Sequence, residues 1–166
     1  MTTNSDHEAK TFLVDTRFQQ MARRSGGVPR TRALQNAETE IESGKPKFEA
    51  WLDQQLGELA DLIGVAKSGT AEAQWPGKMR GHSCQLRDVG TTMGFPLLTF
   101  IAGNLCEILD NADPGDKLEL DSIACHVDAL FLARRPEYRN LRPDQLPELS
   151  EGLRQVVESA SIATGK

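Results

Sequence analysis

Between Phe48 and Ala66 the apolar residues Phe48, Trp51, Leu52, Leu56, Leu59, Leu62, Ile63 and Ala66 recur at intervals of three and four. That spacing places them on one face of a helix, and the face needs burial. Ser43, Gly44 and Pro46 punctuate the chain just before it, so the pattern predicts a short helix over 31–42 and a second one with Pro46 in its first turn. The second should end near Lys67–Thr70.

Trp75 and Pro76 open the next segment, whose pattern predicts a helix to about Thr92. Gly94 and Pro96 break it and start another, in which Leu97, Leu98, Ile101, Leu105, Ile108 and Leu109 keep helical spacing. The run NADPGDK reads as a turn. Leu120, Ile123, Val127, Leu130 and Phe131 then mark one more amphipathic helix, which Pro136 closes. After the RPEYRNLRPDQLP loop, Leu146, Leu149, Leu153, Val156 and Val157 predict a last helix over roughly 144–160.

Four strong stripes joined by short polar turns between 46 and 135 predict an all-α protein, an antiparallel four-helix bundle with extra helices at the N- and C-termini. The expected organisation is a flexible basic N-terminal arm over 1–30, a helical bundle over 31–135, and a loop with a C-terminal helix over 136–166. Composition agrees: 39% of the 166 residues are hydrophobic and only 5% aromatic, a balance suited to packed helices.

A formal net charge of -5 argues against general nucleic-acid binding and favours a protein partner. The arm holds Arg17, Arg23, Arg24 and Arg30, with Arg32 just beyond it, and reads as solvated. No apolar run is long enough for a leader or a membrane span, and Cys84, Cys106 and Cys125 form no CxxC pair. The expectation is a cytoplasmic protein with reduced thiols, no membrane contact and no cofactor.

Candidate chemistry concentrates in GHSCQLRDVGTTMGFPL, residues 81–97. Met79, Leu86 and Met93, joined by Val89, define the expected buried seam. His82 lies three after Met79 and four before Leu86, so it belongs to that seam or its edge and calls for a hydrogen-bond partner. Cys84 is rotated from it by about 200°. Its neighbours are Arg80, Arg87, Asp88 and Thr91, which makes it the expected exposed position. Cys106 and Cys125 sit in apolar patterns and read as small core residues. His82 with Cys84 and Cys125 with His126 have ligand types suited to zinc, but adjacent and next-nearest residues diverge on a helix, so no metal site is expected.

The run C-Q-L-R-D-V-G-T-T-M-G-F-P-L, beginning at Cys84, resembles the acceptor segment of histidine phosphotransfer (HPt) domains, in a bacterial branch with H-D-L-[KR]-G-Q-G-x-T-[FM]-G-[FY]-P-L. Leu86, Arg87, Gly90, Thr92, Met93, Gly94, Phe95, Pro96 and Leu97 fall in register without a gap. FEAWLDQQLGEL, IAGNLCEILD and ACHVDALF are similar to that branch's other bundle helices, and the likeness spans about residues 33–134. It implies a four-helix bundle in a two-component phosphorelay, where an exposed histidine takes a phosphoryl group from one receiver-domain aspartate and passes it to another.

Two departures fall at the reaction centre. Cys84 stands where the branch has its acceptor histidine, and Asp88 stands where it has a glycine that leaves room for the incoming receiver. A thiol with an ordinary pKa of about 8.5 is mostly protonated near neutrality, whereas imidazole is available there. Asp88 also brings a carboxylate toward the receiver's acidic pocket. The resemblance therefore implies a protein that binds a response-regulator receiver domain or a histidine kinase without the usual acceptor, rather than an enzyme that turns over. Arg80, Gln85, Arg87, Asp88 and Thr91 are its expected contact residues. Alternatives are phosphotransfer through His82 and thiol-based sensing at Cys84.

Overall fold

The computed structural model of the protein describes residues 26–111 and 117–163. Among them every regular element is helical: α1 (Arg30–Lys67), α2 (Trp75–Gly90), α3 (Pro96–Asn111), α4 (Lys117–Ala133) and α5 (Pro147–Ala163), with 3-10 turns at Pro136–Tyr138 and Pro143–Gln145. Residues 1–25 of the basic arm and residues 112–116 of the expected NADPGDK turn lie outside the described residues. No helix of the described residues is long and apolar enough to cross a membrane.

The chain divides into two units, residues 1–39 and 40–166. The described part of the first, residues 26–39, is exposed at every position, Val28 and Leu34 included. Its helical residues are tied locally, with the Thr39 hydroxyl donating to the Gln35 carbonyl at 2.8 Å.

Ser43–Pro46 does not divide two helices, as the punctuation suggested: α1 runs through it with Pro46 inside. A proline in a helix interior removes one backbone donor and crowds the carbonyl four residues back, here that of Glu42. Pro46 and Glu42 are both exposed, so water can serve that carbonyl. The Ser43 hydroxyl donates to the Glu40 carbonyl at 2.9 Å, and Lys45 pairs with Glu42.

The second unit carries the core. Leu52, Leu56 and Leu59 of α1, Met79 and Leu86 of α2, Leu97, Leu98, Ile101 and Leu105 of α3, and Ile123 and Leu130 of α4 are almost wholly removed from water. Leu153 and Val157 of α5 join the same cluster. Each fully buried side chain of this size contributes about 1.5–3 kcal/mol.

Three expected core positions are instead exposed: Val89, Phe131 and Cys125. In α4 the buried line is Ile123, Val127 and Leu130, and Phe131 lies about 100° beyond its last member. Cys125 sits between the buried His126 and the half-buried Ala124, on the same outer side as Asp121 and Asp128.

The reversal between α2 and α3 is tight. Gly94 has φ +88, a conformation that favours glycine, and its carbonyl accepts from the Asn140 amide at 2.9 Å. Gly90 lies so close to α3 that an added Cβ would meet Thr99 Oγ1 at 2.5 Å and the Phe95 carbonyl oxygen at 3.2 Å.

Phe95 then packs against Phe48, ring centres 5.7 Å apart, and under the Arg139 guanidinium at 5.0 Å. Arg139 also pairs with Glu49, and Arg134 bonds Asp53 at 2.7 Å and Glu49 at 3.4 Å. Charged side chains from α1, the end of α4 and the following turn thus fix this end of the fold.

Candidate functional site around His82 and Cys84

Helix α2 presents its residues by rotation. Trp75, Met79, Ser83, Leu86 and Gly90 are its buried line. On the opposite side Gly77, Gly81, Gln85, Asp88 and Thr92 are exposed. His82 and Cys84 flank Ser83, each about 100° away in opposite senses, so neither faces the core nor points straight outward.

His82 is half-buried and turned toward α1, where its Nδ1 donates to Oε1 of the buried Gln55 at 2.7 Å. The expected boundary position with a hydrogen-bond partner is what the ring adopts. The centre of the buried line, however, is Ser83, whose hydroxyl donates to the Met79 carbonyl at 2.9 Å. Positions 82 and 83 both lie within about 60° of the line from Met79 to Leu86, so periodicity alone does not choose between them.

Cys84 is not the free, exposed thiol that its polar neighbours suggested. It is half-buried on the flank facing α3, with its sulfur 3.2 Å from that of Cys106, which is 3% exposed. Burial, followed by the hydrogen bond and proximity of Cys84, pushes the Cys106 thiol up to about 12, against the opposing pull of Arg87 and Arg80. Cys125 has no such neighbour in α4. Partial desolvation and the Asp128 carboxylate hold its thiol above the usual value.

Of the remaining expected contact residues, Arg80, Arg87, Asp88 and Thr91 are tied to neighbours. Arg80 pairs with Asp110 of α3, and Arg87 with Asp88 at 2.9 Å. Thr91 Oγ1 donates to Thr99 Oγ1 at 3.0 Å. Gln85 is exposed. The structure therefore gathers Arg80, Cys84 and Arg87 with Cys106 and Asp110 along one groove side of α2, whereas His82 belongs to the opposite flank.

Sequence reasoning missed Cys106 as a partner of Cys84, as well as Gln55, Ser83 and Asp110. A signal for the first existed. Thr91 and Thr99, Arg87 and Gly103, Cys84 and Cys106, and Arg80 and Asp110 are symmetric about Phe95, and all four pairs meet between α2 and α3. Their distances from Phe95 follow the helical period. Folding the chain back at Gly94–Pro96 would have set the two sulfurs opposite each other.

His126 is wholly buried and its Nδ1 donates to the Ser122 carbonyl at 2.9 Å, while Cys125 is exposed, so this neighbouring pair diverges. Among the described residues no group of three His, Cys, Asp or Glu side chains is placed to hold a metal ion.

No family model, no curated protein and no solved structure matches this chain.

Proposed function

We propose that the chain is a histidine-phosphotransfer-like module, folded as an antiparallel four-helix bundle, that docks a response-regulator receiver domain or a histidine kinase in the cytoplasm without relaying phosphate through a histidine. The observation that carries the reading is the orientation of α2. Its one imidazole is held sideways by Gln55, and position 84, where the resemblance expects the acceptor, holds a thiol engaged with Cys106.

The bundle topology is supported by the order of contacts. Gln55 meets His82 between α1 and α2, and the pairs symmetric about Phe95 join α2 to α3. Asp53 meets Arg134 and Lys67 meets Asp121, so α4 runs opposite to α1.

Docking would use the outer stripe of α2. Gly81, Gln85, Asp88 and Thr92 stand exposed there, with Gly77 and Gly81 open to solvent and leaving room for approach. Asp88 lies in the middle of this stripe. Its pairing with the exposed Arg87 is screened by water and leaves a carboxylate facing a receiver's acidic pocket. The stripe thus keeps a surface for contact and opposes delivery of a phosphoryl group.

The test is phosphotransfer from purified receiver domains phosphorylated by a small-molecule donor, alongside a binding measurement. Unmodified protein should bind a receiver and remain unlabelled. Cys84→His alone should stay poor, since an imidazole must fit beside the Cys106 sulfur and Asp88 remains. The Cys84→His, Asp88→Gly double variant should gain label. Rapid acid-labile labelling of the unmodified chain that disappears in His82→Gln would replace this reading with transfer through His82. Failure to bind any receiver or kinase would remove it.

A further inference from the structure

We propose that Cys84 and Cys106 form a redox-active dithiol, oxidised by hydrogen peroxide to an intramolecular disulfide that ties α2 to α3. This inference is independent of receiver docking and stands on the geometry of the two helices.

The two sulfurs already lie 3.2 Å apart, so a bond of about 2.05 Å needs a closing movement of only about 1 Å. They are placed there by the register of the hairpin. Thr91–Thr99 nearer the turn and Arg80–Asp110 farther from it fix α2 and α3 on both sides of the pair.

The two cysteines differ in access. Cys84 is half-buried and reachable from solvent, and Cys106 is buried behind it. Arg80 and Arg87 lie close enough for their charges to act on the Cys106 sulfur, pulling against the burial that holds its thiol up. Cys125 is a built-in contrast: it is exposed, lies near Asp128, and has no sulfur neighbour among the described residues.

The chemistry balances in two steps. The Cys84 thiolate attacks one peroxide oxygen, the O–O bond breaks, and the products are Cys84 sulfenic acid and hydroxide, which takes up a proton as water. The Cys106 sulfur then attacks the sulfenic sulfur, the S–O bond breaks, and a second water leaves carrying the proton from Cys106. Two thiols are oxidised to one disulfide and one peroxide is reduced to two waters. Once Cys84 is a neutral sulfenic acid, its negative charge no longer opposes ionisation of Cys106. Reduction by a dithiol reverses the change.

The experiment uses the full chain carrying Cys125→Ser, reduced and then exposed to a small excess of hydrogen peroxide. Intact mass should fall by two hydrogens, both thiols should become inaccessible to an alkylating agent after denaturation, and a dithiol reductant should restore them. Peptide mapping of the unsubstituted chain should find Cys84 joined to Cys106. With Cys106→Ser added, the crosslink should disappear and a sulfenic-acid probe should label Cys84. With Cys84→Ser added, loss of the Cys106 thiol should slow at least tenfold.

Two alkylatable thiols persisting after peroxide in the Cys125→Ser chain would overturn the proposal. So would overoxidation of Cys84 without a crosslink, or a disulfide in the unsubstituted chain that uses Cys125. Mapping the unsubstituted chain keeps the test decisive even where a serine variant folds poorly.

Discussion

His82 and Gln55 are joined across two helices, with the imidazole Nδ1 donating to the amide Oε1 at 2.7 Å. Gln55 is 6% exposed, in a row otherwise made of Leu52, Leu56 and Leu59. A buried amide in such a row is favourable only while it is hydrogen-bonded. The pair therefore orients the ring and also satisfies a polar group in the core.

Replacing Gln55 with leucine should leave the imidazole without its acceptor. The expected loss of stability is about 1–3 kcal/mol, the cost of leaving a partly buried donor unmet. Urea denaturation of Gln55→Leu measures it. His82→Leu in the same background should recover part of the loss, since both polar partners are then gone.

Gly90→Ala tests the close approach of α2 to α3. A methyl there would lie 2.5 Å from Thr99 Oγ1, which Thr91 holds by a hydrogen bond, and 3.3 Å from Leu98 Cδ2. Alanine's better helix propensity gives back at most about 1 kcal/mol, while forced overpacking costs about 1–3 kcal/mol. The variant should be less stable by chemical denaturation. Adding Thr99→Ala, which removes the nearest atom, should restore much of the difference.

Glu49 is the common partner of Arg134 and Arg139. Arg139 Nε is already buried without a partner, so this guanidinium depends heavily on Glu49 and on the Phe95 ring. Glu49→Gln should destabilise the fold by about 1.5–3 kcal/mol, the range for hydrogen bonds to charged groups. Arg134 keeps Asp53, so Arg139→Gln should reproduce more of the loss than Arg134→Gln.

His126 predicts a pH dependence. Burial holds its imidazole below the ordinary value of 6.5, only partly opposed by the bond from Nδ1 to the Ser122 carbonyl. The unfolded chain takes up a proton near 6.5 and the folded chain resists it. This contribution is fully present above 6.5 and is lost as pH falls from there toward the lower folded value. The slope for one such group is at most about 1.4 kcal/mol per pH unit. Comparing urea midpoints at about pH 7.5 and about pH 5.5, the unmodified protein should lose more stability than His126→Leu. Equal losses would place the acid sensitivity elsewhere.

Much of the fold is legible in the order of residues because burial and helical period are the same signal there. Leu52, Leu56 and Leu59, then Leu97, Leu98, Ile101 and Leu105, are apolar at helical spacing and are the core. The turn at Gly94 is equally legible, since a glycine free to take positive φ, as Gly94 does, two residues before a proline leaves few alternatives. Pro46 misleads because exposed backbone lets a helix absorb the loss of one hydrogen bond.

The candidate site was less legible. Periodicity separates Met79 from Gln85 and His82 from Cys84, but it does not decide whether His82 or Ser83 takes the buried line or what either flank meets. Packing against two other helices made that choice: α1 offered an amide to His82, and α3 offered a sulfur to Cys84. The sequence determined that α2 would carry an imidazole and a thiol on different sides. Only the tertiary structure decided what each would meet, because a contact between residues 22 or 27 apart depends on how neighbouring helices align, and no single helix's pattern contains that information.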